Sequence, residues 1–390
     1  MRSRNPAKDQ VAIVGVGSTG FTRSSEGKTP LALACEASIA AIRDSGLDRG
    51  SIDGVSVPTE QAAPQPQQLA YALGLDQVTH YTRTQAVIGF SFVDAVNAVF
   101  SGSCEAILLA YPVYRLPWNS RSAARDPYRA PHGPGLVRVP ETVSAAVGYT
   151  AWASRYIHEY GAKKEYFGYV AVNQRTNATD NPLAAARQPI TMADYLAARM
   201  IREPLCMLDM DLPVDGADAF VITTAERARD LPHPPVLVHA TSCGLVAANV
   251  EDQLPDLRHH GQHVVVEDLR SKSDFWIDGV DLFYPYDGFT IITLAWFENT
   301  GWCGPGEAGP FIEQHWDPRA NRMLIDGRIP VNTHGGGLSE GATRGSGYVR
   351  EATVQLRGEA GSRQVPGARS ALITPGGFFF NSQGIMLRSA

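Results

Sequence analysis

The run Ile52, Asp53, Gly54, Val55 recurs 225 residues later as Ile277, Asp278, Gly279, Val280. Each copy leads into residues that read as a strand, the first of them spanning 51–57. A four-residue match can arise by chance, but a second echo falls in step with it. Residues 86–110 run turn, helix, Gly102 and then the apolar strand 106–110; residues 335–375 repeat that plan with 371–374 as the strand. Two similar halves are the simplest account. A chain of 390 residues also exceeds the size at which one core stops growing.

Local signals fill in the halves. Residues 10–17 read as a short buried strand. Residues 29–46 read as a helix with Thr29 as N-cap, Pro30 at its first position and Gly46 as its stop. A Pro/Gln-rich loop and a short helix ending near Gly74 follow, and this alternation implies an α/β fold with a mainly parallel sheet. The halves are expected at 1–230 and 231–390. The first carries an insertion over about 111–204, with an arginine-bearing loop (Arg115, Arg121, Arg125, Arg129) and helices near 143–160 and 164–178. Such an insertion can cap a substrate pocket.

Several function classes fall away on composition. A net charge of -6 gives no global attraction to nucleic acid or anionic lipid. The longest apolar stretch, 275–297, is interrupted by Asp278, Asp281 and Asp287, so no membrane span is expected and the chain reads as cytoplasmic. Cys35, Cys104, Cys206, Cys243 and Cys303 contain no C-x-x-C pair, and His259, His260 and His263 sit in a polar stretch that reads as a solvated loop. Neither a metal nor a cofactor is expected.

Three motifs tempt and do not hold. Gly15, Gly17 and Gly20 spell G-x-G-x-x-G after a strand, but the helix begins only at Thr29, too late to receive a pyrophosphate. His334 to Gly337 spells HGGG and Gly337 to Gly341 spells G-x-S-x-G; in a hydrolase a strand and a helix separate these motifs, whereas here they share Gly337. Lys8, Lys28, Lys163, Lys164 and Lys272 all lie in polar surroundings, which argues against a Schiff-base lysine.

The segment Asn332, Thr333, His334, Gly335, Gly336 follows the strand 328–331 and precedes a helix starting near Gly345. Glycines there let backbone N–H groups approach an oxyanion or a thioester carbonyl, or else serve a tight turn of positive φ. Asn332, Gly335, Gly336, Gly341 and Gly345 are in register with the thiolase motif N-x-x-G-G-x(4)-G-H-P-x-G. Asp215, Gly216, Ala217 and Ala219 match that family's D-G-A-x-A segment, and Gly376 with Gly377 matches its C-terminal glycine turn. The chain thus resembles the thiolase superfamily over nearly its whole length. The resemblance implies two pseudo-symmetric halves in a five-layered α-β-α-β-α sandwich.

The departures from that family carry the functional expectation. The nucleophile position falls at or near 85–88, where no cysteine exists; Ala342 replaces the G-H-P histidine; about Thr374 stands where a second cysteine would. Acyl transfer through a cysteine thioester is therefore not expected. Tyr284, Pro285, Tyr286, Asp287, Gly288, Phe289 aligns with the thiolase Asn-Glu-Ala-Phe motif and puts Tyr286 at its first position. This is similar to lipid-transfer-protein and sterol-carrier-protein-x type thiolase-like proteins, steroid side-chain aldolases among them.

For this chain the resemblance implies retro-aldol cleavage of a bulky β-hydroxyacyl-CoA, with coenzyme A entering only as part of the substrate. Tyr286 would be the base, with His334, Tyr348 and the amides of Gly335 to Gly337 in support. Asn332, Gly335, Gly336, Gly376 and Gly377 would bind the thioester or its enolate, while Asp287 braces the loop. Aldolases of this group can carry a tyrosine nearer the Ala342 position, where this chain has none. A homodimer, with the strand 106–110 and the helix 90–101 as its candidate interface, and a separate OB-fold partner of the DUF35 type are further implications. A degenerate thiolase working without cysteine, and a silent acyl-CoA or lipid binding subunit, are the alternatives.

Overall fold

The computed structural model describes residues 4–59, 63–115, 145–246, 256–377 and 382–390; Arg121, Arg125 and Arg129 lie outside the described residues. Among the described residues nine strands form the main sheet: β1 (Val11–Thr22), β2 (Gly54–Pro58), β3 (His80–Thr84), β4 (Ala106–Val113), β5 (Asp215–Thr224), β6 (Val236–Gly244), β7 (Leu282–Pro285), β8 (Ser370–Thr374) and β9 (Ser382–Ser389). Their order is β3-β2-β4-β5-β1-β6-β9-β8-β7. β2 runs parallel to β3 and β4, β7 runs parallel to β8, and the remaining pairings are antiparallel.

The order reads as one plan used twice. β1, β5, β4, β2, β3 in the first set correspond to β6, β9, β8, β7 and a parallel bridge from Phe283 to Val331 in the second. The two sets meet where Ala12 and Ile13 of β1 pair with Leu237 and Val236 of β6, so one hydrogen-bonded sheet runs through both. Each copy of the Ile-Asp-Gly-Val run lies just before or at the start of a corresponding strand, β2 or β7.

Helices α1 (Pro30–Ser45) and α2 (Pro66–Leu73) cover the first set, and α3 (Ile88–Ser101) packs on strands of both. Helices α4 (Ala145–Tyr160) and α5 (Lys164–Ala178) lie between β4 and β5. Helix α6 (Gly261–Lys272) covers β6 and β9, α7 (Thr290–Thr300) packs on α6 and β7, and α8 (Ser346–Arg357) touches strands of both sets. With α3 and α8 between the sets and the others outside, the layers run α-β-α-β-α. No helix among the described residues is long and apolar enough to cross a membrane.

Local chemistry explains the element ends. Thr29 caps α1 by accepting from the Ala32 amide at 3.2 Å, and Gly46 ends it with φ +71. Gly15 and Gly17 lie inside β1, where an added Cβ would stand 2.2 Å from the Ala41 and Ala37 carbonyl oxygens of α1. The glycines that mimic a dinucleotide fingerprint are therefore a helix-packing surface. The expected solvated histidine loop is instead a helix start: buried His260 caps α6 through the Gln262 amide at 3.4 Å.

Two expectations are corrected by the topology. Among the described residues five of the eight pairings in the main sheet are antiparallel, so the sheet is mixed and not mainly parallel. β4 is buried along all eight residues and paired on both edges, by β2 and β5, so 106–110 cannot form a subunit interface. The exposed edge of this sheet set is β3.

Candidate active site

The site gathers where the ends of β7 and β8 meet the loop 332–345. Asn332, at φ +51, donates from Nδ2 to the Pro285 carbonyl at 2.8 Å, and its own amide donates to Phe283 at 3.0 Å. An amide row anchors the loop from the other side. Asn173 and Asn177 of α5 donate to the Val331 carbonyl at 3.0 and 2.9 Å, and Asn181 donates to the His334 carbonyl at 2.8 Å. Spacing of four residues puts the first two on one helix face and carries the third just beyond the helix end. That 4-residue repeat of asparagines was a legible signal that the sequence reading passed over.

The glycine loop does bind an anion, but the anion belongs to the protein. The Asp287 carboxylate accepts from the Gly337 amide at 2.6 Å, from the Leu338 amide at 3.3 Å and from the Tyr348 hydroxyl. The Gly335 amide donates to the Asn332 carbonyl at 2.9 Å. Of the Gly335 to Gly337 amides expected to face an oxyanion, those of Gly335 and Gly337 thus already have acceptors within the protein. Burial pushes the Asp287 carboxyl up to about 6, against the pull of these donors.

Gly336 has a separate steric reason. It holds φ +58, and an added Cβ would lie 2.2 Å from Asp287 Oδ2. Gly336→Ala is expected to lower stability by at least about 2 kcal/mol, combining left-handed strain with a displaced buried carboxylate. An unchanged urea midpoint would contradict this assignment.

Tyr286 is held at both backbone ends. Its amide donates to the Thr374 carbonyl at 3.2 Å and its carbonyl accepts from the Thr293 hydroxyl at 3.1 Å. Its ring folds across Gly288, where a Cβ would meet the phenol oxygen at 2.7 Å. The phenol donates to Asp211 Oδ2 at 3.4 Å and also feels the positive charge of the Arg344 side chain. Burial, then the Asp211 carboxylate, hold the phenol's pKa above its ordinary value, while Arg344 pulls it down.

His334 and Tyr348 lie deeper. Tyr348 sits 5.9 Å ring to ring from Tyr286 and 4.7 Å from His334; both are buried. The Tyr348 hydroxyl is taken up by Asp287 and by the Gly337 amide at 2.9 Å. Burial lowers His334 to about 3, so it is neutral, and among the described residues neither of its nitrogens has a hydrogen-bond partner. Of the three tyrosine and histidine candidates, only Tyr286 meets a half-buried carboxylate and a guanidinium together. Ser339 of the G-x-S-x-G run accepts from Arg175 Nε at 3.0 Å and is buried in the loop.

The nucleophile position of a thiolase is structurally present and chemically empty. α3 starts at Ile88, whose amide donates to the Arg344 carbonyl at 3.0 Å, so the helix start abuts the loop that carries the site. No cysteine lies in the segment 85–88 or in the loop 332–345. Thr374, at the second cysteine position, is buried with a hydroxyl that has no partner among the described residues. Gly376 follows at φ +95, its carbonyl accepting from Trp296 Nε1 at 3.1 Å. The Gly376–Gly377 turn stays close to Tyr286 through the Thr374 backbone. Asp211 and Arg344 are the functional candidates that the sequence reading missed.

Residues 253–389 match the family model described as thiolase C-terminal domain-like. The chain is 32% identical to a steroid side-chain-cleaving aldolase of Thermomonospora curvata, covering 96% of this chain and 97% of that one. It is 33% identical to the 17-hydroxy-3-oxo-4-pregnene-20-carboxyl-CoA lyase of Mycobacterium tuberculosis, covering 94% and 96%. Among solved structures, an Ltp2-ChsH2(DUF35) aldolase superposes with a TM-score of 0.84 at 30% identity, covering 98% of each chain. The fold, the shared motifs and this full-length identity agree: the chain belongs to the thiolase superfamily, among the thiolase-like proteins related to the steroid side-chain-cleaving aldolases.

Proposed function

We propose that this protein is a carbon–carbon lyase that cleaves a bulky, steroid-derived β-hydroxyacyl-CoA by a retro-aldol reaction. The carrying observation is Tyr286, hydrogen-bonded to Asp211 and within the field of Arg344, in a thiolase fold that lacks cysteine at the nucleophile position. Tyr286 takes the β-hydroxyl proton, the Cα–Cβ bond breaks, and its electron pair passes into the thioester carbonyl as an enolate. Protonation at Cα then gives a short acyl-CoA beside a ketone or aldehyde. The substrate's own thioester is the electron sink, so the reaction needs neither a Schiff base nor an acyl-enzyme.

The remaining roles follow from position. The Gly376–Gly377 turn, tied to Tyr286 through the Thr374 carbonyl, holds the enolate oxygen. Asn332, Gly335 and Gly336 then serve by shaping the loop. Tyr348 and neutral His334 support Asp287 and the Tyr286 ring from below. Similarity to the aldolase that contains a DUF35 protein supports a DUF35-type OB-fold partner here as well. A homodimer would form at the β3 edge, where Tyr81 is 67% and Tyr71 90% exposed.

Incubating the protein with β-hydroxyacyl-CoAs, alone and with DUF35-type proteins, tests the reading. A short acyl-CoA released without added coenzyme A is the expected result. Binding with no turnover in every combination would overturn it.

A further inference from the structure

The geometry points to Asp211 as the terminal proton acceptor, with Tyr286 as the relay between it and the substrate hydroxyl; this rests on the retro-aldol reading above. A neutral phenol inside a protein gives up its proton reluctantly, and Tyr286 faces a carboxylate that makes a phenolate still less favourable. The same carboxylate can take the proton instead. Asp211 Oδ2 already accepts from the phenol at 3.4 Å, a contact that would tighten as the substrate closes the site.

The backbone around Asp211 is held from both sides of the site. The Asp211 amide donates to the Gly288 carbonyl at 3.0 Å, and the Leu212 amide donates to the Gly337 carbonyl at 3.0 Å. The Leu212 carbonyl accepts from the Ala342 amide at 2.8 Å, and Met210 bridges Phe289. Segment 210–212 is therefore stitched to the tyrosine loop and to the glycine loop at once. Nothing in the thiolase motifs asks for a carboxylate there, yet this stitching delivers one to the phenol. The charged and titratable groups facing it are Tyr286, Arg344 and Asp287. Burial raises its pKa, the Arg344 guanidinium opposes that rise, and the side chain is half-buried, leaving a route to solvent.

The step balances without a co-reactant. As Cα–Cβ breaks, the substrate O–H proton passes to the phenol oxygen while the phenol's own proton passes to Asp211 Oδ2. Tyr286 thus stays neutral throughout. Asp211 releases its proton to solvent, and the enolate Cα takes up one proton, so charge and atoms are conserved over the cycle. Asp211 acts through Tyr286 and does not touch the substrate.

The test compares Asp211→Asn and Asp211→Glu with the wild type. Asp211→Asn should lose roughly 10²- to 10³-fold in kcat with KM changed less than about threefold. Asp211→Glu should recover part of the loss. Only the ionised carboxylate accepts, so wild-type kcat falls as pH drops through the Asp211 pKa, and that acid limb should vanish in Asp211→Asn. A proton inventory in mixed H2O and D2O should change from two protons in flight to one. Unchanged affinity of Asp211→Asn for a β-deoxy analogue would establish that its site is folded. Normal turnover and a retained acid limb in Asp211→Asn, with Tyr286→Phe inactive, would overturn the relay and leave the retro-aldol reading intact. A wild-type protein that cleaves no β-hydroxyacyl-CoA would overturn both.

Discussion

Tyr286→Phe should lower turnover by roughly 10²- to 10⁴-fold while leaving substrate affinity nearly unchanged, the pattern of a lost general base. The ring and its contacts with Tyr348 and Gly288 remain, and only the hydroxyl goes. Stability should therefore shift by no more than about 3 kcal/mol, the upper worth of a hydrogen bond to a charged group such as the Asp211 carboxylate. Steady-state kinetics and urea midpoints read the two effects separately. A Phe variant that keeps near-normal turnover would make Tyr286 a core residue.

Arg350→Ala should be the most damaging single change to the fold, costing about 3–5 kcal/mol. From α8 the Arg350 guanidinium reaches Asp218 of β5 at 2.8 Å and also pairs with Glu340 of the glycine loop; all three side chains are buried. It thus ties the second strand set and the site loop to the first set. Removing it strands two carboxyl groups in the interior. Burial already raises Glu340 to about 7, against the pull of Arg350. A raised folded-state pKa means that Glu340 favours the folded state at low pH and loses that contribution as pH climbs from about 4.3 toward 7. Without Arg350 that pKa rises further, so the deficit of the variant should be larger at pH 8 than at pH 5. Denaturant midpoints at those two values measure the difference, and a deficit that shrinks with rising pH would contradict it.

The parts of this structure that were legible in the sequence are those that local chemistry or repetition dictates. The bounds of α1 follow from Thr29, Pro30 and Gly46, and the duplicated Ile-Asp-Gly-Val run marks corresponding strands. Loop 332–345 was legible because close backbone approach needs glycines at fixed intervals. What stayed hidden depends on contacts between segments far apart in the chain. Asp211 lies in a stretch with no periodic pattern and becomes interesting only when hydrogen bonds to Gly288, Gly337 and Ala342 carry it to Tyr286. Arg344 occupies the unspecified position of the glycine motif, at φ +56. The occupied glycine nest was equally invisible, because a loop able to bind an anion does not reveal that its own Asp287 supplies one.

The most direct test of cysteine-free retro-aldol cleavage is the chemical form of the bulky fragment when the reaction runs in excess free coenzyme A. An aldolase leaves that fragment as a free ketone or aldehyde, and free coenzyme A is not consumed. Acyl transfer instead acts on the matching β-ketoacyl-CoA, whose Cβ already stands at the carbonyl level, and delivers the fragment as a new coenzyme A thioester. Mass spectrometry of the products from matched β-hydroxy and β-keto substrates distinguishes the two outcomes: a carbonyl compound equimolar with the short acyl-CoA from the β-hydroxy substrate is the result predicted here, and cleavage of the β-keto substrate alone, to a bulky acyl-CoA thioester, would contradict it.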